Sequence, residues 1–353
     1  MHELNRDLAA DIQRPTGARG WILPDEAIVI VGLGSAGTRH LHNLRALGHE
    51  HFVALRSGLG PAAPDAPGVE TTRGWQESLR RRPRAAIIAN PTALHTEAAL
   101  AAARGGCHLL IEKPVSDSWV GLDALRCEVR RRDLVALVGF QLRFHPALER
   151  VRSWVAEGAI GSVVCAEAHW GEHLPGWHPS EDYRLGYSAR RDLGGGVLLT
   201  LCHPFDYLRW IVGEIAAVQA LCSSRGGLGI DVEDTALASL VFADGALGHV
   251  HVDYVERPPR HQITLLGDQG SIRWDQDEQS AVLWRTDGSV RDVAAAPPGF
   301  RRNDLFLEEM RHFLDCVAGK ASPAVSLEDG IRTLEVVLAA RQSACEGRLI
   351  RVL

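Results

Sequence analysis

Short apolar runs and helical apolar spacing alternate along the first part of the chain. Residues 27–31 form an apolar, mostly β-branched run, which predicts a fully buried strand. Leu41, Leu44 and Leu47 then recur at helical spacing, and Gly48 ends this predicted helix. Further strands are predicted at residues 51–58, 85–90, 107–114 and 134–140, with an alanine-rich helix at residues 92–106. Strands that alternate with helices predict an α/β fold with a parallel, doubly wound sheet.

The pattern changes after residue 143, where most predicted strands follow one another without a helix between them. These strands lie at residues 162–170, 217–224, 234–243, 246–255, 261–267, 270–274 and 281–284. They predict an α+β domain with an open, mostly antiparallel sheet. We therefore expect a flexible tail over residues 1–20, an α/β domain over residues 21–143 and a second domain over residues 144–353. Two helical patterns within residues 303–346 are candidates to pack back on the first domain.

Composition excludes several classes of function. The 353 residues carry a net charge of −6 and no long basic run, which gives no electrostatic support for binding nucleic acid. The N-terminal residues mix acids and bases, and no apolar run is long enough to span a bilayer, so we expect neither a signal peptide nor membrane association. The seven cysteines are scattered without a C-x-x-C pair, which favours reduced thiols in the cytoplasm.

A glycine motif directly follows the first strand. Gly32, Gly34 and Gly37 have the G-x-G-x-x-G spacing between a strand and a helix, which is the context that dinucleotide binding requires. Gly32 permits a tight turn, Gly34 lets the backbone approach a pyrophosphate, and Gly37 lets helix and strand pack closely. The helix start, with Ser35 and Ala36, offers N–H donors to phosphates. The first domain is therefore predicted to be a Rossmann domain that binds NAD or NADP.

The end of the second strand favours NADP. An acidic residue there would hold the ribose 2′-hydroxyl of NAD, but the chain has Arg56 and Ser57 instead. Arg56 can pair with a 2′-phosphate and Ser57 can hydrogen-bond it. The alternative is that Arg56 only stacks on the adenine.

Three segments together resemble the glucose–fructose oxidoreductase/inositol dehydrogenase family, also written Gfo/Idh/MocA. They are "GLGSAGTRH", "CHLLIEKPVS" and "GGGVLLTLCHPFDYLRWIVGE", and "ANPTALHTEAA" and "GFQLRFHP" are also similar to segments of that family. The resemblance implies a Rossmann domain, a second domain on an open sheet, bound NAD or NADP, and oxidation or reduction of a hydroxyl of a sugar, cyclitol or sugar derivative. It also implies a homodimer or homotetramer paired through the open sheet face.

The resemblance also implies roles for particular residues. The lysine of the family's Glu-Lys-Pro segment falls on Lys113, and its helix histidine falls on His203. Many members have an aspartate four residues before that histidine, where this chain has Leu199. Asp206 matches a second family aspartate and is a third catalytic candidate, which either orients the His203 imidazole or only caps polar partners. The cofactor-binding segments of the family add the following expected contacts: Asn90, Pro91, His95 and Glu112. A structural role for Glu112 is favoured over a cofactor contact. If the strand continues through Lys113, the two side chains point to opposite faces.

Hydride transfer from a carbinol requires a base for the hydroxyl proton. His203 suits that role because imidazole titrates near neutral pH, and Lys113 can stabilise developing alkoxide charge. Residues 194–210 read as one buried helix behind three glycines, which places Thr200, His203 and Asp206 on one stripe and predicts a bend at Pro204. In addition to His203, the candidate substrate-binding side chains are those of Arg143, Trp177, Tyr183, Arg184 and Thr200.

Histidine and acidic residues are also considered as metal ligands. His169, Glu172, His173 and His178 match no H-E-x-x-H spacing, so no metal site is expected. His249 and His251 alternate on a strand and are interpreted as lining a sheet face.

Two further functions stay open from the residues. Some relatives use bound NAD transiently for elimination or glycoside cleavage without net oxidation. A non-enzymatic cofactor-binding sensor could use the same fold. Retention of Lys113 and His203 favours an enzyme, and the leading interpretation is a carbohydrate or cyclitol oxidoreductase.

Overall fold

The computed structural model describes Ile22, residues 26–56 and residues 66–352. The predicted tail and Ser57 lie outside these ranges. The chain divides into two compact units. The first contains the described residues up to Gly139 together with Phe306–Leu327, and the second contains Phe140–Leu305 and the residues from Glu328 onward.

Strands and helices follow the sequence patterns closely. The strands are β1 (Ile28–Val31), β2 (Phe52–Leu55), β3 (Val69–Thr72), β4 (Ala85–Ile88), β5 (His108–Glu112), β6 (Ala136–Gly139), β7 (Val163–Gly171), β8 (Ile215–Ser223), β9 (Thr235–Phe242), β10 (Leu247–Asp253), β11 (Arg260–Gly267), β12 (Gly270–Asp275), β13 (Ser280–Arg285), β14 (Val290–Ala295) and β15 (Ile350–Arg351). The helices are α1 (Ser35–Ala46), α2 (Trp75–Leu79), α3 (His95–Arg104), α4 (Leu122–Arg131), α5 (Pro146–Ala156), α6 (Val197–Thr200), α7 (His203–Ile211), α8 (Arg302–Val317) and α9 (Leu327–Glu346).

The first unit contains a six-stranded parallel sheet in the order β3-β2-β1-β4-β5-β6. The strand order reverses between β1 and β4, which is where open α/β sheets bind ligands. The prediction of a doubly wound parallel sheet is confirmed. The sequence patterns did not predict β3. Its residues Val-Glu-Thr-Thr are too polar for a buried strand, and they are tolerated because β3 is an edge strand that pairs only with β2.

Helix α8 supplies part of the core of the first unit. Met310, Phe313 and Cys316 belong to the same buried cluster as Ile30 of β1 and Leu41 of α1. The chain after α8 continues along β6, where the Val138 amide donates to the Val325 carbonyl over 3.0 Å.

The second unit contains a nine-stranded sheet in the order β14-β13-β12-β11-β7-β10-β9-β8-β15. Only the β7–β10 pair in it is parallel, so the expectation of an open, mostly antiparallel sheet is confirmed. Along β9 and β10, buried side chains alternate with side chains on an exposed face. Strands β14 and β15 were not predicted, since β14 has mostly exposed side chains and β15 has two residues.

The prediction of a single helix behind the three glycines within residues 194–210 is wrong. The segment forms two helices, α6 and α7, and Leu201 between them has φ −101° and ψ 41°, outside helical geometry. Pro204 lies in the first turn of α7, where its missing N–H costs no helical hydrogen bond. Pro204 therefore fits the first turn of α7 without bending it, and α7 is buried on nearly all sides.

No helix in the described ranges combines the length and apolarity that crossing a membrane demands. No disulfide joins any of the seven cysteines, all of which lie in the described ranges.

Candidate functional sites

The glycine turn after β1 has the geometry that the motif predicts. Gly32 has φ +85°, and a Cβ there would lie 2.8 Å from the Ala89 carbonyl oxygen, so a side chain is excluded twice. A Cβ on Gly37 would overlap the backbone of Gly32. Gly34 differs, because nothing lies within 4 Å of its Cβ position and the residue is exposed. The open side of the turn is therefore where a phosphate can approach the backbone.

The start of α1 is open to an anion. Gly34 is the N-cap, no described side chain caps the helix, and no acidic residue occupies its first turn. Backbone N–H groups at a helix start carry partial positive charge. Ser35 and Ala36 lie in the first turn of α1, where the sequence predicts contacts with the phosphates.

Arg56 lies directly after β2, at the carboxyl edge of the sheet. Its backbone N–H donates to the Thr72 carbonyl over 3.0 Å, which fixes the end of β2 against β3. Arg56 is half-buried.

His95 connects the loops after β4 and β5. Its Nδ1 lies 2.8 Å from the Pro114 carbonyl oxygen and its Nε2 lies 2.8 Å from the Asn90 carbonyl oxygen. Burial lowers the pKa of this imidazole below its usual value, so one nitrogen of the neutral ring donates at a time. Both ring nitrogens face backbone carbonyl oxygens and the neutral ring donates to one of them, which favours a bracing role for His95 between the segment of Asn90 and Pro91 and that of Pro114.

Lys113 follows β5 and precedes a cis peptide bond to Pro114. The adjacent Glu112 carboxylate lies 2.7 Å from His40 Nε2 and accepts from the Lys113 backbone N–H over 3.3 Å. Burial opposes ionisation of Glu112, but the hydrogen bond from His40 and the charges of His40, Lys113 and His95 together outweigh it and hold the pKa of Glu112 below its usual value. Sequence reasoning missed His40, which lies in α1 and has no local link to Glu112.

His203 begins α7 and lies among aromatic side chains. Its ring stacks on Trp170 at a centroid distance of 4.9 Å and an interplanar angle of 20°, and meets the Phe140 ring edge-on at 5.7 Å. Trp170 stacks on His261 with its ring at 4.0 Å. His203 is 4% exposed.

A carboxylate fixes the other side of this stack. Glu172 accepts from Trp170 Nε1 over 3.0 Å, and its Oε1 lies 2.9 Å from His261 Nε2. Burial raises the pKa of Glu172, but the close contact with His261, the charge of Arg302 and the hydrogen bond from Trp170 together outweigh burial and hold that pKa below its usual value. The sequence contained no local signal for this His203–Trp170–His261 stack, since its members come from three distant segments.

Asp206 and Arg143 were predicted for separate roles, and the structure pairs them with each other. Arg143 donates from Nε and from its terminal nitrogen to the two oxygens of Asp206, over 3.0 and 2.7 Å. Thr333 of α9 also donates to Asp206, over 3.2 Å. Asp206 is 1% exposed and Arg143 is 6% exposed. Both carboxylate oxygens of Asp206 thus have partners other than His203.

The predicted substrate-binding residues Trp177, Tyr183 and Arg184 all have partners within the second unit. The Tyr183 hydroxyl donates to the Leu228 carbonyl over 2.8 Å, and the Trp177 ring meets Tyr254 edge-on at 5.7 Å. The exposed Arg184 pairs with Asp182. Thr200 ends α6 and is buried.

Both domains of the chain match models of known protein families. Residues 27–140 match the family model described as "Oxidoreductase family, NAD-binding Rossmann fold". Residues 148–273 match the "GFO/IDH/MocA C-terminal domain". The two models together span more than half of the chain, in the order that the family has. The chain belongs to the Gfo/Idh/MocA oxidoreductase family. The predicted family membership and the NAD-binding Rossmann domain are therefore confirmed.

Individual Gfo/Idh/MocA relatives cover most of the chain. A myo-inositol 2-dehydrogenase of Thermotoga maritima is 28% identical over 340 residues, which is 92% of this chain and 98% of the relative. Among solved structures, a levoglucosan dehydrogenase in complex with NADH and levoglucosan superposes with a TM-score of 0.81 at 22% identity, covering 93% of this chain and 99% of the other. GenD2 from gentamicin A biosynthesis, in complex with NAD, gives a TM-score of 0.77 at 23% identity, covering 92% of this chain and 96% of the other.

Proposed function

We propose that this oxidoreductase transfers hydride between a nicotinamide dinucleotide and a CH–OH carbon of a sugar, amino sugar, sugar nucleotide or cyclitol. The observation that carries the proposal is the placement of Lys113. It directly follows the carboxyl end of β5, and the Glu112–His40 pair holds its backbone. The myo-inositol and levoglucosan dehydrogenases among its relatives support a ring-shaped polyhydroxyl substrate.

The chemical roles follow from residue type. Bound NAD or NADP supplies the hydride acceptor. His203 takes the hydroxyl proton as the C–H bond breaks, and the Lys113 ammonium stabilises the alkoxide that forms. Asp206 is a positioning residue in this scheme, because its oxygens bind Arg143 and Thr333 and thereby fix α7, which carries His203.

The cofactor is proposed to be NADP on the basis of Arg56. Its guanidinium follows the strand whose end contacts the adenosine ribose in Rossmann domains, and a guanidinium pairs well with a 2′-phosphate.

Substitution of the two proposed catalytic residues tests the function. We expect Lys113→Ala and His203→Ala each to lower kcat by about 100-fold or more, as loss of acid–base or charge-stabilising groups does, while the affinity for the cofactor is retained. Lys320→Ala is the matched control, because Lys320 is the other lysine of the chain and pairs with Asp315. The measurement is absorbance of the reduced nicotinamide with a panel of sugars, sugar nucleotides and cyclitols.

The same assay separates the alternatives. Product formed without net reduced cofactor would indicate the redox-neutral class, and ligand-dependent binding without turnover would indicate a sensor. Full activity in both variants would contradict the assigned roles.

A further inference from the structure

Two histidines face each other on the exposed side of the nine-stranded sheet. His169 of β7 and His251 of β10 are register partners across the parallel strand pair. Their ring centroids are 4.2 Å apart. Both side chains are partly exposed, on the face opposite to that of Trp170 and His203. This pair is therefore separate from the proposed catalytic histidine.

Two carboxylates converge on the same pair. Asp253 ends β10, and its Oδ1 accepts from the backbone N–H groups of Val255 and Glu256 over 2.8 and 2.7 Å. Those bonds leave Oδ2 directed at His251 Nε2, 3.2 Å away. Glu256, on the turn after β10, hydrogen-bonds His169 Nε2. Asp253 is 2% exposed, so its carboxylate is held inside the cluster.

Gly171 gives the carboxylates their room. A Cβ at this last position of β7 would lie 2.7 Å from Asp253 Oδ2 and would overlap the Glu256 carboxylate. The β7–β10 register thus places the two imidazoles beside the space above Gly171, which any side chain at that position would fill. One donor atom each from His169, His251 and Asp253 lies within 4.8 Å of the others.

We propose that His169, His251 and Asp253 form a structural binding site for a divalent metal ion of the zinc type, and that Glu256, which hydrogen-bonds His169, completes the ligand set by moving its carboxylate onto the ion. Two imidazole nitrogens and two carboxylate oxygens are a donor set that Zn²⁺ accepts with tetrahedral geometry, whereas Ca²⁺ and Mg²⁺ prefer oxygen alone. Bonds of about 2.0–2.1 Å place tetrahedral donor atoms roughly 3.3 Å apart. The 3.2 Å between His251 Nε2 and Asp253 Oδ2 already matches that spacing. Two carboxylates also balance the charge of the ion.

The proposed role of the metal is to fasten the turn after β10. The Asp253 and Tyr254 carbonyls accept from the Glu172 and Leu174 amides over 3.1 and 3.0 Å, where the segment leading to Trp177 begins. An ion bound by Asp253 and Glu256 would therefore stabilise both the turn and that segment.

Metal titration of the untagged, chelator-treated full chain tests the site. We expect one equivalent of Co²⁺ to give the visible absorption of a tetrahedral complex, Zn²⁺ to displace it, and saturating Zn²⁺ to raise Tm by about 3 °C or more. His169→Ala and His251→Ala should each weaken Zn²⁺ binding in calorimetry beyond the roughly 10–100-fold cost of losing an outer-shell partner. Asp253→Asn should do the same, although its side-chain oxygen can still accept both backbone hydrogen bonds.

The control is His249→Ala, which removes an exposed histidine two positions earlier on the same strand and should leave binding unchanged. The zinc-free Tm of each variant, compared with that of the zinc-free parent, shows whether the fold is intact. Absence of a tetrahedral Co²⁺ spectrum in the parent protein would overturn the proposal and leave two histidine–carboxylate contacts. Equal Zn²⁺ affinity in the parent and in Asp253→Asn would overturn it as well. Neither result depends on turnover, so failure of this site is distinguishable from failure of the proposed oxidoreductase function.

Discussion

Single side chains in this protein act mainly through a partner far away in sequence. Glu112 is adjacent to Lys113, yet its charged state depends on His40 in α1. Asp206 is three residues from His203, yet its oxygens bind Arg143 and Thr333. The motifs therefore indicate which side chains are candidates for function, while the distant partner sets the hydrogen bonds and charge of each side chain.

The residue after β2 gives a prediction about the cofactor. We expect Arg56→Asp to lower kcat/KM for NADP relative to NAD by about 10-fold or more, since a hydrogen bond to a charged group contributes about 1.5–3 kcal/mol and the new carboxylate repels a phosphate. Initial rates with both cofactors measure the ratio. Arg104→Asp makes the same charge change at the end of α3 and should preserve it. An unchanged ratio in Arg56→Asp would show that Arg56 does not recognise the 2′-phosphate.

The buried Arg143–Asp206 pair gives a prediction about stability. Arg143→Met should lower the free energy of unfolding by about 3–5 kcal/mol, because it leaves the Asp206 carboxylate buried without its guanidinium. The double variant Arg143→Met, Asp206→Leu should recover most of that loss. Urea denaturation measures both. Arg184→Met, which breaks an exposed pair with Asp182, should cost less than about 1 kcal/mol. Equal losses in the buried and exposed variants would contradict this account.

Helices contribute through buried polar positions as well as apolar faces. Glu309 of α8 is 0% exposed, and neither of its carboxylate oxygens has a hydrogen-bond partner within the described part of the chain. Burial, and then repulsion from Glu112, raise the pKa of Glu309 well above its usual value. Packing Glu309 into the core therefore favours the protonated form of its carboxyl group.

This protonation makes stability depend on pH. Because the folded pKa exceeds the unfolded one, the stabilising effect of the bound proton is complete below the ordinary pKa of 4.5 and is lost as pH rises through the folded value. For each pH unit between the two pKa values, the decline is about 1.4 kcal/mol. Glu309→Gln should remove this decline, so its advantage over the parent protein should grow between about pH 5 and about pH 8. Urea midpoints at both pH values test it; a constant difference would show that Glu309 is ionised in the folded state.

At the scale of the whole molecule, the exposed sheet face of the second unit carries neighbouring apolar side chains. Leu221 of β8 and Leu237 of β9 are register partners on that face and are 68% and 40% exposed. Apolar side chains in adjacent exposed positions are typical of interaction surfaces. They support the expected homodimer or homotetramer.

Charge on this face should disturb such an assembly. We expect the double variant Leu221→Asp, Leu237→Asp to sediment as a smaller species than the parent protein, because four or more carboxylates would meet across a symmetric interface. Sedimentation velocity measures the change. Leu185→Asp, at another exposed leucine outside the sheet, should leave the sedimentation coefficient unchanged. A parent protein that is already monomeric would contradict the expectation of an oligomer.

The alternation of strands and helices, the glycine turn and the position of Lys113 after a strand could all be predicted from the sequence. Each depends on neighbouring residues: the apolar period fixes strand or helix, and Gly32, Gly34 and Gly37 act within one turn. Predictions failed where tertiary pairing replaced the local rule, as in the edge strand β3, or where one residue had two readings, as with Pro204.

The side-chain pairs were settled by the folded chain alone. His40 meets Glu112 across 72 positions, Arg143 meets Asp206 across 63, and His169 meets Glu256 across 87. Such contacts depend on strand order and register, and a shift of one residue would turn His251 away from His169. Local spacing determines what each segment becomes, but only packing of distant segments brings two titratable side chains to one place.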